Sequence, residues 1–404
     1  MSLVELEKYC SHRSLIQTLA EAEVLEGQEG HVAIHLPNGC FMTPSAMAFL
    51  ACWGLLQESK GATLALTGDD DSRRYLSRMD VFSILQIPFP ENFQRHTEIG
   101  RFLPLRRIDT DEACQSAVND ICDLVLSQFD NAREFLPAME WAVNEVTCNI
   151  RIHSETPVPG IVCAQYFPNK HRLEIGICDM GRGIKTSLEE SMMLWSHGDA
   201  VSKALQRGVT RNDKEGQGNG LAGTHEIAKV NGGSFELWTG DVTFKVKKGK
   251  DDGFTQHAEV PGTGVHLSLD TTKPVDLSDT FIQGVAYTHI EATAERLEDS
   301  GGFKVKDECV STGTRQPALA LRRKVMSVLP DMEGPLEIDF EGVRSAASSF
   351  LDELLGRTVA EIGKEKFSER IKIVNAGDSI IKMANVVIEQ RLEETQQPME
   401  AEDD

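Results

Sequence analysis

Residues 137–153, with the sequence PAMEWAVNEVTCNIRIH, decide the fold of this chain. Apolar side chains recur in this stretch at helical spacing, so the stretch is predicted to be a helix. Steps of four residues put Glu145, Asn149 and His153 along one stripe of that helix. A carboxylate, a carboxamide and an imidazole would therefore line one wall of a pocket.

Two further segments follow in order along the chain. The alternating run Leu173–Asp179 predicts a strand that carries Asp179 at its end, where Gly181 and Gly183 let the backbone approach a ligand. The next segment, Gly216-Gln-Gly218-Asn-Gly220-Leu221, is a glycine loop that opens into the helical stretch LAGTHEIAKV. It would present free N–H groups and a helix N-terminus to an anion such as a phosphate. Together the three segments indicate a nucleotide pocket.

Each segment also has an ordinary interpretation when it is taken alone. The helix could be a buried helix without a ligand, the Asp-Met-Gly-Arg-Gly run a turn, and the glycine loop a connector. Other phosphate motifs fail: no Gly-x-x-x-x-Gly-Lys-Ser/Thr is present. A dinucleotide fold is weakly supported, because residues 210–215 before the glycine loop are polar and do not read as a strand.

The three segments resemble the boxes of the GHKL or Bergerat-fold ATPases, which include gyrase B, bacterial histidine kinases and MutL. Gly262-Thr263-Gly264 resembles a fourth box of that family. It is a turn that leads into an alternating run, which would be a late strand of the sheet. The resemblance covers roughly residues 112–272. It implies that the chain binds ATP and Mg²⁺.

The resemblance also implies roles for individual residues. Asn149 would hold the Mg²⁺ that bridges the phosphates, and Asp179 would accept a hydrogen bond from the adenine amino group, with support from Thr263. Glu145 matches the family position of a general base. His153 is either a ligand contact or a capping or packing residue.

The glycines and the lid have implied roles as well. Gly181 and Gly183 would let the chain pass close to the base and ribose. The amides of Gly216, Gly218 and Gly220, in the box that ends at Leu221, would wrap the phosphates. Residues 184–215 would form a mobile lid.

The length and charge of the chain limit which other functions it could have. The 404 residues are enough for two or three domains, and 41 basic against 63 acidic residues give a formal charge of −22, which argues against non-specific nucleic-acid binding. Lys245–Lys250 is the one dense basic run and is interpreted as a solvated hairpin tip.

The nine cysteines lack zinc-site spacing and are predicted to be reduced, packed thiols. No apolar run is long enough to cross a bilayer, so a cytoplasmic location is predicted.

Two flanking segments resemble STAS domains, the fold of bacterial anti-anti-sigma factors. In each, a strand and a turn lead into an apolar helix and a second strand. The C-terminal resemblance is the stronger one and aligns Ser348 with the serine that is phosphorylated in the family, although Ala347 and Phe350 depart from the motif. Capping of the helix by Ser348 or Ser349 is the alternative to phosphorylation. The N-terminal segment carries Pro44 at the equivalent position, which predicts a docking or structural module.

The predicted fold class is therefore α/β in the α+β sense. A central Bergerat-type α/β sandwich lies between two small STAS-like α/β domains. The predicted boundaries are 1–108 for the first domain, 112–272 for the ATPase, 275–390 for the second STAS-like domain and 391–404 for an acidic disordered tail.

These features predict a Mg-ATP-binding regulator, similar to an anti-sigma serine kinase and its antagonist in one polypeptide. It would hydrolyse ATP or phosphorylate a serine or threonine on a STAS-type segment in a partner-switching system. The alternative is an ATP-gated interaction switch or scaffold with little or no catalysis. A protein partner or a homodimer is expected by analogy. DNA-clamp machines and sensor histidine kinases fit poorly, because the chain is acidic and has no membrane segment or phospho-accepting histidine helix before residue 140.

Overall fold

The fold is known from a computed structural model and is a mixed α/β fold, which confirms the predicted class. It contains three sheets, with three, five and three strands, and one short two-stranded ribbon within the part of the chain that is described. The residues that the structure describes are 2–26, 30–95, 100–127, 132–206, 209, 220–275, 302–309, 311–313, 315–332 and 334–396.

The N-terminal module is a parallel sheet of order β1-β3-β5 with helices packed against it. Its longest helix is apolar all round and buried along most of its length, as expected for a helix covered on several sides. Thr43 caps this helix by accepting a hydrogen bond from the Ala46 N–H, and Pro44 occupies the first helical position. Its elements are β1 (Ser2–Glu5), β2 (Tyr9–Cys10), α1 (His12–Glu21), β3 (Gly30–Leu36), β4 (Phe41–Met42), α2 (Pro44–Ser59), β5 (Ala62–Gly68), α3 (Asp70–Arg78) and α4 (Val81–Ile84).

The central module is an antiparallel five-stranded sheet of order β6-β7-β8-β10-β9, with helices on one face. Its strands are β6 (Phe102–Ile108), β7 (Gly160–Phe167), β8 (Arg172–Cys178), β9 (Ser234–Lys247) and β10 (Lys250–Asp270). Its helices are α5 (Asp111–Leu126), α6 (Ala132–Asn149), α7 (Gly183–Leu188), α8 (His197–Ala204) and α9 (Gly220–Asn231).

The strand β6 was assigned to the first domain by the predicted boundary at residue 108. In the structure it pairs antiparallel with β7, so it is an edge strand of the central sheet. The boundary missed this pairing because a strand sequence predicts the strand but not its partner.

The two faces of the central sheet are both covered. Along β7, Val162 and Ala164 belong to the hydrophobic cluster that contains α5 and α6, whereas Ile161 and Cys163 belong to the cluster that contains α2. This division follows from the alternation of side chains along a strand. The N-terminal module therefore packs on the sheet face opposite to α5 and α6.

The C-terminal module is a second parallel sheet, of order β11-β12-β13. Its core is continuous with the cluster around α5 and α6. Its strands are β11 (Gly302–Lys304), β12 (Leu336–Asp339) and β13 (Ile371–Val374). Its helices are α10 (Val305–Glu308), α11 (Arg315–Val328), α12 (Ser348–Leu351), α13 (Arg357–Ile362), α14 (Lys364–Arg370) and α15 (Asp378–Gln396), with a π-helical turn at Asp352–Gly356.

Helix α15 changes the predicted extent of the tail. It continues to Gln396, so residues 391–396 are helical where the sequence predicted disorder. Arg391 explains the difference, because its guanidinium donates to both carboxylate oxygens of the buried Asp352. The remaining tail, 397–404, lies outside the described residues.

Two smaller predictions are confirmed. Lys248 and Gly249 join β9 to β10 with positive φ angles, so the basic run is a hairpin tip, on which Lys247, Lys248 and Lys250 are exposed and Lys245 is half-buried. All nine cysteines are free and buried. Among the described helices, none combines the length and the apolar character that a membrane span requires.

Candidate functional site

One cavity brings together most of the residues that the sequence singled out. It lies where α6, the end of β8, the start of α9 and β10 meet, and α12 of the C-terminal module lines it as well. It encloses about 1200 Å³ of empty space, part of which is open solvent at its mouth. The predicted residues that line it are Glu145, Asn149, His153, Asp179, Gly183, Gly220, Leu221, Thr263 and Ser348.

The wall supplied by α6 differs in one detail from the predicted stripe. The regular helix ends at Asn149, and Ile150–Ser154 continue as a π-helical turn in which the Ser154 hydroxyl donates to the Ile150 carbonyl at 2.6 Å. His153 lies on this wider turn and still lines the cavity. Single π-helical turns within helices are frequent at functional sites.

Glu145 lies deep in this wall, with some surface left accessible to the cavity. The Ser348 hydroxyl donates a hydrogen bond to Glu145 Oε1. A Cβ at Gly220 would lie only 2.6 Å from Glu145 Oε2, so a larger residue at the start of α9 would have to displace the Glu145 carboxylate. Burial raises the pKa of Glu145 to about 7, against the opposing effects of the Ser348 hydrogen bond and the charge of Arg315.

Asp179 follows β8 and is buried. Its carboxylate accepts a hydrogen bond from the Gly181 N–H at 2.7 Å, and its own N–H donates to the Thr263 carbonyl at 2.9 Å. Burial raises the pKa of Asp179 to about 7, and backbone hydrogen bonds from Gly181 and Thr263 oppose that rise. A Cβ at Gly262, whose φ is +75°, would overlap the Asp179 carbonyl, so this glycine brings β10 against the end of β8.

The other predicted glycines have different positions. Gly183 has a φ of +74° and lines the cavity. Gly181 does not line it; a Cβ there would overlap the Ser154 carbonyl, so Gly181 permits close packing of the turn after α6. Gly216 and Gly218 lie outside the described residues, as does most of the last third of the predicted lid.

The described part of the predicted lid contributes apolar surface to the cavity. Ile184 and Leu188 of α7 line it, together with Ala204 and Val209. Ile150, Ile152, Ile177 and Val265 add to this surface from the other elements. An apolar wall with a few convergent polar groups is typical of a site for a small organic ligand.

Thr239 of β9 supports the site, although it is not among the predicted site residues. Its buried hydroxyl donates to the Gly262 carbonyl at 2.8 Å and accepts from the Ile184 N–H at 3.3 Å. It therefore links the Gly-Thr-Gly turn to the start of α7. The adjacent Gly240 was the only local signal, and a Thr-Gly pair in a strand has many other meanings.

Ser348 and Ser349 bring the C-terminal module into the cavity. The alternative prediction, that one of them caps the helix, is wrong: the N-cap residue is Ala347, and the described side chains provide no capping hydrogen bond there. The chain enters α12 one residue earlier than expected, and the Ala347 N–H donates to the Thr312 carbonyl at 2.9 Å. The Ser348 hydroxyl is thereby left to bind Glu145.

A metal ion would have few protein ligands here. Within the described ranges, no group of three or more histidine, cysteine, aspartate or glutamate side chains could hold one. The carboxamide of Asn149 is compatible with Mg²⁺, which usually keeps several waters and takes one or two protein oxygens together with substrate phosphates. The assignment of Asn149 to Mg²⁺ stays a prediction.

Comparison with known proteins informs the C-terminal module. Residues 320–380 match the model of a family described as a STAS-like domain of unknown function, DUF4325. The matched segment contains β12, α12 and β13, so the prediction of a STAS-like C-terminal domain is confirmed for these residues. None of the curated proteins matches the chain. The resemblances of the central and N-terminal modules stay predictions.

Proposed function

We propose that this chain is a Mg-ATP-binding regulatory protein of the GHKL class. Its pocket would deliver the γ-phosphoryl group of ATP to water, or to a serine or threonine hydroxyl on a STAS-type segment. The observation that supports the proposal best is the convergence on one cavity of Glu145, Asp179, Gly220 and Thr263, which come from four separately predicted motifs.

The cavity suits the parts of a nucleotide. Asp179 lies at its wall as an acceptor for an adenine amino group, and Ile177 and Val265 offer apolar surface to a ring. At the other end, α9 begins at Gly220, and the N–H groups of a first helical turn have no partner within the helix, so they would be donors for phosphate oxygens. Asn149 would hold the Mg²⁺, which neutralises phosphate charge when it is bound.

Glu145 suits the role of general base. Its pKa of about 7 lies near the operating pH, which is where a base combines sufficient ionisation with sufficient basicity. Its Oε1 already accepts a hydrogen bond from a hydroxyl, that of Ser348. A base in hydrogen-bond contact with a hydroxyl can take its proton when that oxygen attacks phosphorus.

An ATP-gated switch with little catalysis is the second candidate. It is favoured by the position of Ser348 and Ser349 on the cavity wall, since a bound nucleotide would touch the C-terminal module directly. Binding would then change the packing of that module whether or not ATP is cleaved.

The test is ATP binding by calorimetry, with ADP release measured on the same full-length protein. Asp179→Asn should weaken ATP binding about tenfold or more. The buried carboxyl that would accept from the adenine amino group is replaced by a carboxamide, whose NH₂ is itself a donor. Glu145→Gln should keep ATP binding and lose about 10²- to 10⁴-fold in turnover. Asn149→Ala should weaken binding only when Mg²⁺ is present.

Asn38→Ala is the matched control, because Asn38 is exposed in the turn after β3 and far from these motifs along the chain. It should behave like the wild type in both measurements. If Asp179→Asn binds ATP as tightly as the wild type does, the proposed pocket is contradicted. Tight binding with no ADP release and no phosphoprotein would favour the switch.

A further inference from the structure

The contact between Ser348 and Glu145 joins two modules that are distant in sequence. The donor belongs to the STAS-like module and the acceptor to α6, and the two residues are 203 positions apart. Both side chains line the cavity. A hydroxyl that is hydrogen-bonded to a candidate base, beside a candidate phosphate site, has the arrangement of an acceptor before phosphoryl transfer.

Ser349 gives an independent reason to look for a ligand at this end of the cavity. Its hydroxyl is buried and has no hydrogen-bond partner among the described residues. It lines the same cavity as Ser348. Buried polar groups are nearly always hydrogen-bonded, so this hydroxyl would find its partner in a water or a polar ligand group that occupies the cavity.

The turn that carries Ser348 is held against α5 and α6. Ser345 donates to Asn119 Oδ1 at 3.0 Å and its carbonyl accepts from the Thr312 hydroxyl at 2.7 Å. Next to Thr312, the Gly313 carbonyl accepts from the Cys148 thiol at 2.9 Å. These contacts come from both sides of the interface, so Ser348 is positioned by the fold and does not depend on a mobile side chain alone.

The buried charges behind α12 fix the same turn. Asp352 begins the π-helical turn that follows α12 and pairs with Arg315 at 2.9 Å and with Arg391 at 2.7 Å. Glu353 pairs with Arg322 at 3.0 Å and with Arg357 at 3.1 Å. These ion pairs tie α12 to α11 and α15, the two long helices of the C-terminal module.

We propose that Ser348 is the phosphoryl acceptor for the nucleotide pocket of its own chain, an inference that rests on the proposed function. A bond forms between Ser348 Oγ and the γ-phosphorus of ATP. The bond from that phosphorus to the oxygen bridging the β-phosphate breaks, and its electron pair leaves with ADP. The hydroxyl proton passes to the carboxylate of Glu145.

The product would differ from the starting state in charge. Phosphoserine carries a charge of about −1.5 to −2 at pH 7, and here it would lie beside the Glu145 carboxyl. The hydrogen bond from Ser348 to Glu145 would be lost at the same time. Each chain can accept one phosphoryl group at this position, so the reaction is a single event per chain that marks its C-terminal module.

The test is incubation of the full chain with Mg-ATP, followed by intact mass and by mapping of the phosphorylated residue. One phosphoryl group should appear on Ser348, and its rate constant should stay unchanged over a roughly hundredfold range of protein concentration. Ser348→Ala should bind ATP and gain no mass. Ser368→Ala is the matched control, because Ser368 is an exposed serine of the same module that does not line the cavity, and it should be labelled normally.

A mixture of two variants separates transfer within a chain from transfer between chains. Glu145→Gln retains the acceptor and lacks the base, whereas Ser348→Ala retains the base and lacks the acceptor. Together they should give no phosphoserine above the level of Glu145→Gln alone, which should be about 10²- to 10⁴-fold slower than the wild type.

Several results would overturn the inference. Phosphate on Ser349 or elsewhere, labelling in the mixture, or ATP bound without any phosphate on Ser348 would each do so. If the wild type carries no phosphoserine and Ser348→Ala releases ADP faster than the wild type does, Ser348 blocks the base and does not accept the phosphoryl group. Absence of ATP binding would instead reject the proposed function itself, so the two failures are distinguishable.

Discussion

The two flanking modules have the same core arrangement and dock on opposite sides of the central module, the N-terminal one on the sheet itself and the C-terminal one on the helices that cover the other face. Each has three parallel strands and a helical segment that follows the middle strand. In the N-terminal module this helix starts at Pro44 and packs against β7 and β8. In the C-terminal module it starts at Ser348 and reaches α6.

The chemistry at the two helix starts is different. The hydroxyls of Thr43 and Ser45 lie 3.0 Å apart, and Ser45 also contacts His12 Nδ1, so they satisfy one another inside the N-terminal module. The Pro44 carbonyl accepts from the Cys163 thiol at 3.2 Å. Ser348 binds a carboxylate in the cavity instead. Similar folds thus serve as a packing surface on one side and as part of a candidate site on the other.

The largest expected effect is on stability and comes from the buried charges directly after α12, which have no counterpart among the contacts described for the start of α2. Asp352→Ala would remove the carboxylate that lies between Arg315 and Arg391. Arg315 is buried and its pair with Glu353 is longer, at 3.6 Å, while Arg391 is half-buried. Breaking a buried ion pair in this way costs about 3–5 kcal/mol. Amide hydrogen exchange of β12 and β13 should show this loss, and the hydrogen bond from Ser348 to Glu145 should be lost with it.

The control for Asp352→Ala is an ion pair on the surface of the same module. Glu341 pairs with Lys304 at 2.7 Å and its side chain is 64% exposed. Glu341→Ala should therefore change the opening free energy of β12 by less than about 1 kcal/mol. Equal losses in both variants would mean that the buried charges do not hold the module.

Much of the fold could be predicted from local patterns. The apolar spacing of residues 137–153 predicted α6, and the alternation of Leu173–Asp179 predicted β8 within a residue at each end. The positive φ angles at Gly183 and Gly262 agree with the glycine turns that the motifs indicated. Local signals were sufficient there, because the period of the side chains and the freedom of glycine are properties of short segments.

The parts that could not be predicted depend on contacts between distant residues. Nothing near Ser348 in the sequence indicates Glu145, and nothing near β6 indicates β7 as its partner. Thr239 was missed for the same reason, since its two hydrogen bonds go to Gly262 and Ile184. Tertiary packing decides such pairs, and a single sequence does not record it.

A smaller effect is expected from the docking of the N-terminal module. Gly176 of β8 faces α2, and a Cβ there would lie 2.5 Å from the Pro44 carbonyl oxygen and from the Ser45 nitrogen. Backbone atoms cannot give way easily, so Gly176→Ala should destabilise this docking by about 1–3 kcal/mol. Limited proteolysis should release the N-terminal module sooner.

The cavity on the other face of the sheet should keep the ATP affinity proposed for it in Gly176→Ala, because Ile177 points to the opposite side of the strand. Gly377→Ala is the control, since a Cβ at Gly377 meets nothing within 4 Å. Proteolysis at the wild-type rate in Gly176→Ala would show that the contact between α2 and β8 does not hold the module.

The smallest effect is a pH response of opposite sign at the two sites. His12 lies between the modules: it stacks on Trp238 with ring centroids 4.1 Å apart, its Nε2 is 3.4 Å from Glu236, and His266 is close by. Burial lowers the pKa of His12 well below its usual value, with further lowering by the charges of His266, Arg13, His257 and Lys245. Burial also lowers the pKa of His266 to about 4.

The direction follows from which state binds more protons. Between about pH 6.5 and 4 the unfolded histidines are protonated and the buried ones are not, so the N-terminal interface loses stability as pH falls. Glu145 and Asp179 behave oppositely. Their pKa values are raised to about 7, so between about pH 4 and 7 they bind protons only when folded, and the pocket gains stability as pH falls.

Hydrogen exchange at pH 7 and pH 6, corrected for the intrinsic rate, measures both sites in one experiment. From pH 7 to pH 6 the opening free energy of α1 and α2 should fall by about 1 kcal/mol, while that of α6 should rise by a similar amount. His266→Gln should reduce the first change and Glu145→Gln the second, whereas His31→Gln, at an exposed position of β3, should alter neither. A common direction at both sites would mean that these buried groups do not set the pH response, and the difference between the two faces of the sheet would then be one of packing alone.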